Sequence, residues 1–192
     1  MAAPAKRAKR LRAHLVLIDE SGMLMAPLVR RSLAPAGRTP IIKQKGSHRD
    51  KVSLIAALCV SPGQRQRSLY TRTYPKQHVN QERAADFLHD VLKHLRGRVM
   101  VIWDRGNMHR GPAIRDLQAR FPRLELHSLP PYAPELNPVE QLWNHLKCDR
   151  FVNHAPADVW SLDRDVRKYL GQVRGNSLRL RSFFSAADLP FD

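Results

Sequence analysis

The sequence has 192 residues, room for one compact domain with a core of useful size. Its hydrophobic fraction of 43% excludes a disordered chain, and no run approaches the roughly 18 apolar residues of a membrane span. Lys and Arg number 33 against 17 Asp and Glu, a net charge of +16 that favours a polyanionic partner, DNA or RNA.

Residues 1–13 carry Lys6, Arg7, Lys9, Arg10 and Arg12 with no long apolar run behind them. They read as a basic, flexible arm and not as a secretory signal. His14 to Ile18 is a continuous apolar run that stops at Asp19, the pattern of a central strand covered on both faces. Residues 21–50 are broken by Pro27, Pro35, Gly37, Pro40 and Gly46 into turns and short strands. Lys51 to Val60 reads as a second strand, and Ser68 to Tyr74, rich in Tyr and Thr, as a third.

Val79 to Leu95 predicts a helix, because Ala84, Phe87, Leu88, Val91, Leu92 and Leu95 fall on one stripe and Gly97 follows. Val99 to Trp103 is another doubly apolar strand ending in an acid, Asp104. Residues 112–121 predict a helix, and Leu124 to Ser128 alternates as a half-exposed edge strand. A helix is expected from Asn137, a good N-cap followed by Pro138 in the first helical position. Val139, Leu142, Trp143 and Leu146 form its apolar stripe, which makes Trp143 a core residue. Further helices are expected near 157–171 and 177–184. The alternation predicts an α/β fold, a mixed sheet with helices on its faces.

Cys59 and Cys148 form no CxxC pair and read as small hydrophobes of a reducing compartment. The nine histidines show no HExxH or paired Cys/His spacing, so zinc is not expected. Three carboxylates remain. Asp19 and Asp104 end two buried strands, where sites of open α/β sheets gather, and Glu140 lies in the first turn of a helix. Three clustered carboxylates would suit a hard cation such as Mg²⁺. Each also has a plain alternative. A strand-end Asp often only starts a turn, and Glu140, three residues after Asn137, fits half of a capping box. Glu20 competes with Asp19, since neighbouring residues point to opposite faces of a strand, and residue patterns alone do not choose between them.

Three stretches resemble the bacterial insertion-sequence transposases of the mariner-like superfamily. They are Leu17-Ile18-Asp19-Glu20-Ser21-Gly22, then Val101 to His109, and the long motif from Leu129-Pro130-Pro131-Tyr132 through Asn137-Pro138-Val139-Glu140 to Lys147. The segment Ala34 to Pro40 is similar to a connecting segment of that family, and the likeness runs in order over about residues 14–185. Many relatives have Asn directly after the second Asp, where this chain has Arg105.

The resemblance implies a ribonuclease H-like fold, a mixed five-stranded sheet flanked by helices with extra C-terminal helices, over residues 14–192. It implies a catalytic triad of Asp19, Asp104 and Glu140 holding two Mg²⁺ or Mn²⁺ ions. The implied reaction is cleavage of double-stranded DNA at the ends of an insertion element, followed by attack of the freed 3′ hydroxyl on target DNA, typically at a TA step. Action as a homodimer and a place on the bacterial nucleoid in the cytoplasm come with it. Complete relatives begin with a helix-turn-helix region. That region is expected to be absent from this chain, which reads either as the second frame of a split gene, with a separately encoded partner, or as a truncated remnant. Arg38, Lys43, Lys45, Arg49, His109 and Lys147 are candidate DNA contacts. The competing readings are another ribonuclease H-like nuclease and an inactive DNA-binding remnant of a transposase.

Overall fold

The computed structural model of the chain describes residues 2–26, 28–43, 50–63, 65–104, 106, 111–130 and 134–187. Five strands form one sheet: β1 (His14–Leu24), β2 (Lys51–Val60), β3 (Arg67–Pro75), β4 (Val99–Trp103) and β5 (Leu124–Ser128). Their order across the sheet is β3-β2-β1-β4-β5. β1, β2 and β3 pair antiparallel, whereas β4 and β5 run parallel to β1 and to each other. The sheet is the mixed five-stranded one expected. Parallel pairs need crossovers, and two helices supply them here: α2 (Gln81–His94) leads into β4, and α3 (Pro112–Arg120) into β5.

Side-chain alternation divides the core in two. Leu15, Leu17, Met100 and Ile102 face a layer that includes α4 (Pro138–Asn144), α5 (Val159–Arg174) and α6 (Ser177–Ala186). Val16, Ile18, Val101 and Trp103 face the other layer, where α2 and α3 lie. Val16, Leu17 and Ile18 are fully buried, and burying each such side chain contributes about 1.5–3 kcal/mol. A π-helical turn, His145–Arg150, prolongs α4.

Two expectations differ from what is observed. β1 does not stop at Asp19 but runs on to Leu24, because Asp19 to Leu24 pair with Ala56 to Lys51 of β2. A hydrogen-bonded neighbour thus carries polar residues that look like a turn in isolation. The basic segment before β1, read from the sequence as a flexible arm, contains a helix, α1 (Ala2–Arg10). Its alanines favour that form. Ala8 is buried against the core, and Arg7 pairs with Glu125 at 3.1 Å. Beyond β1, residues 28–43 are irregular and exposed. They are tied to the turn after the π-helical segment by a bridge between Leu28 and Val152. Among the described residues, no helix is long and apolar enough to cross a membrane.

Candidate active site

The site lies where the sheet changes from antiparallel to parallel. β1 and β4 pair at a constant offset, from His14 opposite Val99 to Leu17 opposite Ile102. Asp19 and Asp104 keep that offset two residues further on, just past the end of β4, so the register sets them abreast. The alternation from Leu17 directs Asp19 toward the face that α4 covers.

α4 brings the third carboxylate. Asn137 caps this helix through its side-chain oxygen, which accepts from the Val139 N–H at 3.2 Å. Its amide nitrogen donates to the Ile18 carbonyl at 3.2 Å, pinning the start of α4 to β1. Glu140, half-buried, follows in the first turn.

Asp19 is 8% exposed, and its pKa is pushed up to about 7. Burial is the main cause, followed by the charge of Glu140, with smaller contributions from Glu20 and Asp104. The Trp143 indole N–H donates to Asp19 Oδ2 at 2.8 Å and opposes the rise. Asp19 therefore lies within electrostatic reach of both other triad candidates. Asp104 is exposed, and its Oδ1 accepts from the Gly106 N–H at 2.8 Å, the turn-starting role open to any strand-end Asp. Among the described residues, no three His, Cys, Asp or Glu side chains are gathered closely enough to enclose an ion as they stand.

Glu20 belongs to the other face. Its Oε1 accepts from the Trp103 indole at 3.2 Å, and Trp103 lies in the α2–α3 layer. Of the two neighbours, Asp19 faces α4 and Glu20 the opposite layer.

Lys147 reaches the site edge, where its Nζ donates to Ser21 Oγ at 2.6 Å. Ser21 follows Asp19 by two and shares its face. A cavity of about 380 Å³ opens beside it, lined by Gly22, Leu24, Lys147, Phe151 and His154 among others. On the other side, Asp104 borders a cleft of about 360 Å³ with Arg115, Gln118, His127 and Ser128. Arg38 and Lys43 stand exposed on the irregular segment. Lys45, Arg49 and His109 lie outside the described residues. Sequence reasoning missed the amide of Asn137, the indole N–H of Trp143, Ser21 and Arg115. Asn137 did show itself as a cap, but its tie to Ile18 spans 119 residues and leaves no local signal.

No curated protein sequence matches the chain. Several solved structures share its fold. The Mos1 strand transfer complex superposes with a TM-score of 0.64 at 18% identity, over 95% of this chain and 53% of that one. The mariner Mos1 paired-end complex with Mg gives 0.64 at 16% identity, over 96% and 57%. The catalytic domain of the Mos1 mariner transposase gives 0.56 at 15% identity, over 95% and 80%. The chain spans about half the length of the chains in the Mos1 complexes. At such identities the likeness establishes the fold, the ribonuclease H-like arrangement expected from the sequence. Residues 14–163 match the DDE superfamily endonuclease family, and the chain belongs to that family.

Proposed function

We propose that this chain is the catalytic part of a transposase, cutting DNA at the ends of a mobile element and joining the freed ends to target DNA. Asp19, Asp104 and Glu140 are the cation ligands of this reading. The observation that carries it is the buried position of Asp19 beside other carboxylates: burial first, then the charge of Glu140, with smaller contributions from Glu20 and Asp104, lifts its pKa to about 7. Mutual repulsion of this kind is relieved by a divalent cation. The donor set fits Mg²⁺ or Mn²⁺, since it is anionic and made of oxygen alone. Two such ions, when bound, supply activation of an attacking oxygen and stabilisation of a leaving one.

The chain's own residues do the rest. Asn137 fixes the helix that carries Glu140 against the strand that carries Asp19. Ile18, fully buried, closes the sheet behind Asp19. Lys147 at the site edge is suited to a DNA phosphate, and so are Arg38, Lys43, Lys45, Arg49 and His109 in this reading. The surplus of Lys and Arg would hold the duplex through its backbone, so binding should fall steeply with salt. Cleavage and joining are both in-line phosphoryl transfers, and one carboxylate site can serve both. The reading includes action as a homodimer, because two element ends must be joined. It also includes association with the nucleoid. The Mos1 structures in this fold comprise a complex with the left transposon end and complexes with Mg and with Mn, which supports DNA and a divalent cation as the ligands.

The test is nicking of supercoiled plasmid with Mg²⁺ or Mn²⁺ by the chain and by its Asp104→Asn variant. Nicking lost in the variant is expected. Unchanged nicking in the variant would overturn the assigned triad.

A further inference from the structure

Trp143 lies on the apolar stripe of α4 and is 2% exposed. It packs in one core layer with Leu17, Val139, Leu142 and Leu146. Phe would serve such a position as well if packing were its whole role. What Trp adds is a single N–H donor, and a buried donor needs a partner. That partner is Asp19 Oδ2, at 2.8 Å, an ordinary hydrogen-bond length. Trp143 follows Glu140 by three, so the helix presents both to the same side. The opposite face of the sheet repeats the device, with Trp103 donating to Glu20. Two neighbouring acids of β1 are thus each held by an indole, one on each face. Glu20 is retained away from α4, and Asp19 is oriented toward it.

We propose that Trp143 is a positioning residue of the carboxylate site: its indole N–H occupies Oδ2 of Asp19 and leaves Oδ1 directed at a divalent cation. The proposal rests on the reading of Asp19, Asp104 and Glu140 as cation ligands. A carboxylate free to rotate presents its oxygens in many directions. One oxygen tied to a ring that the core immobilises leaves a single ligand in a defined direction.

The test measures Mn²⁺ binding directly, by the free-Mn²⁺ electron paramagnetic resonance signal, for the chain and its Trp143→Phe and Asp104→Asn variants. Trp143→Phe keeps the ring in the core and removes the donor. Its Mn²⁺ affinity should fall on the order of tenfold, as when an orienting partner of a metal ligand is lost. Asp104→Asn should lose affinity too. Parental affinity in Trp143→Phe, with loss in Asp104→Asn, would overturn the positioning role alone. Parental affinity in both would overturn the cation site and the positioning role with it. A second measurement needs no variant of the site. In the unaltered chain, Mg²⁺ should shift the indole N–H resonance of Trp143 and leave that of exposed Trp160 in place. A Trp143 resonance that stays still as Mg²⁺ binds would overturn the proposal.

Discussion

The side-chain amide of Asn137 reaches the backbone carbonyl of Ile18, so the residue that starts α4 also clamps it to the strand that carries Asp19. Asn137→Ala removes a helix cap worth about 1 kcal/mol and leaves a buried carbonyl without its donor, about 1–3 kcal/mol more. Asn137→Ser keeps a capping oxygen but is too short to reach Ile18, so it should lose less. Denaturant unfolding would rank them parent, Ser, Ala. Plasmid nicking by Asn137→Ala should fall on the order of 100-fold, because Glu140 is no longer held in place. Equal stability of the three proteins would show that the clamp is idle.

Asp19 makes the metal-free fold sensitive to pH. Its carboxyl holds a proton up to about pH 7 in the folded chain but only to about 3.8 when unfolded. Between these values the folded state binds more protons, so the contribution is present at low pH and is lost as pH rises through 7. The whole span is worth at most about 4 kcal/mol. Thermal unfolding in EDTA should show Asp19→Asn gaining on the parent as pH rises from 5 to 8. Added Mg²⁺ should raise the parent's unfolding temperature at pH 8, since an ion bound only by the folded chain stabilises it. A constant gap between parent and variant across this range would contradict the buried, crowded carboxyl.

Glu20 and Asp19 are neighbours with opposite fates. Glu20→Gln keeps an acceptor for the Trp103 indole on the face away from α4. Nicking should continue at the parental rate in this variant and vanish in Asp19→Asn. Loss of activity in Glu20→Gln would place Glu20 in the chemistry after all.

Lys147 should act on DNA as one phosphate contact. Lys147→Ala is expected to weaken binding equally for unrelated sequences and to lower the slope of log affinity against log salt by about one. A salt titration of duplex binding reads both. An unchanged slope would mean that Lys147 serves only Ser21, to which it already donates.

Much of this arrangement is legible in the sequence. The apolar runs of β1 and β4 and the stripe of α2 are local patterns, and each appears within a few residues of its expected place. Asn137-Pro138 announced the start of α4 for an equally local reason. What escaped depends on distant partners. β1 continues through Asp19, Glu20, Ser21 and Gly22 only because β2 pairs with them. The apolar stripe of α4 marks Trp143 as a core residue, yet nothing nearby in the chain reveals that its N–H meets a carboxylate 124 residues earlier. Alternation separates Asp19 from Glu20, but only the seating of α4 shows which of the two faces that helix.

The parallel pairing of β1 with β4 also governs which length changes the chain can absorb. An insertion within residues 28–43 lengthens an exposed excursion and leaves the ladder untouched. One residue inserted between Val99 and Trp103 would carry Asp104 one step along a period of two and turn it to the opposite face. Natural variation in length should therefore collect in the excursion and spare the five residues of β4.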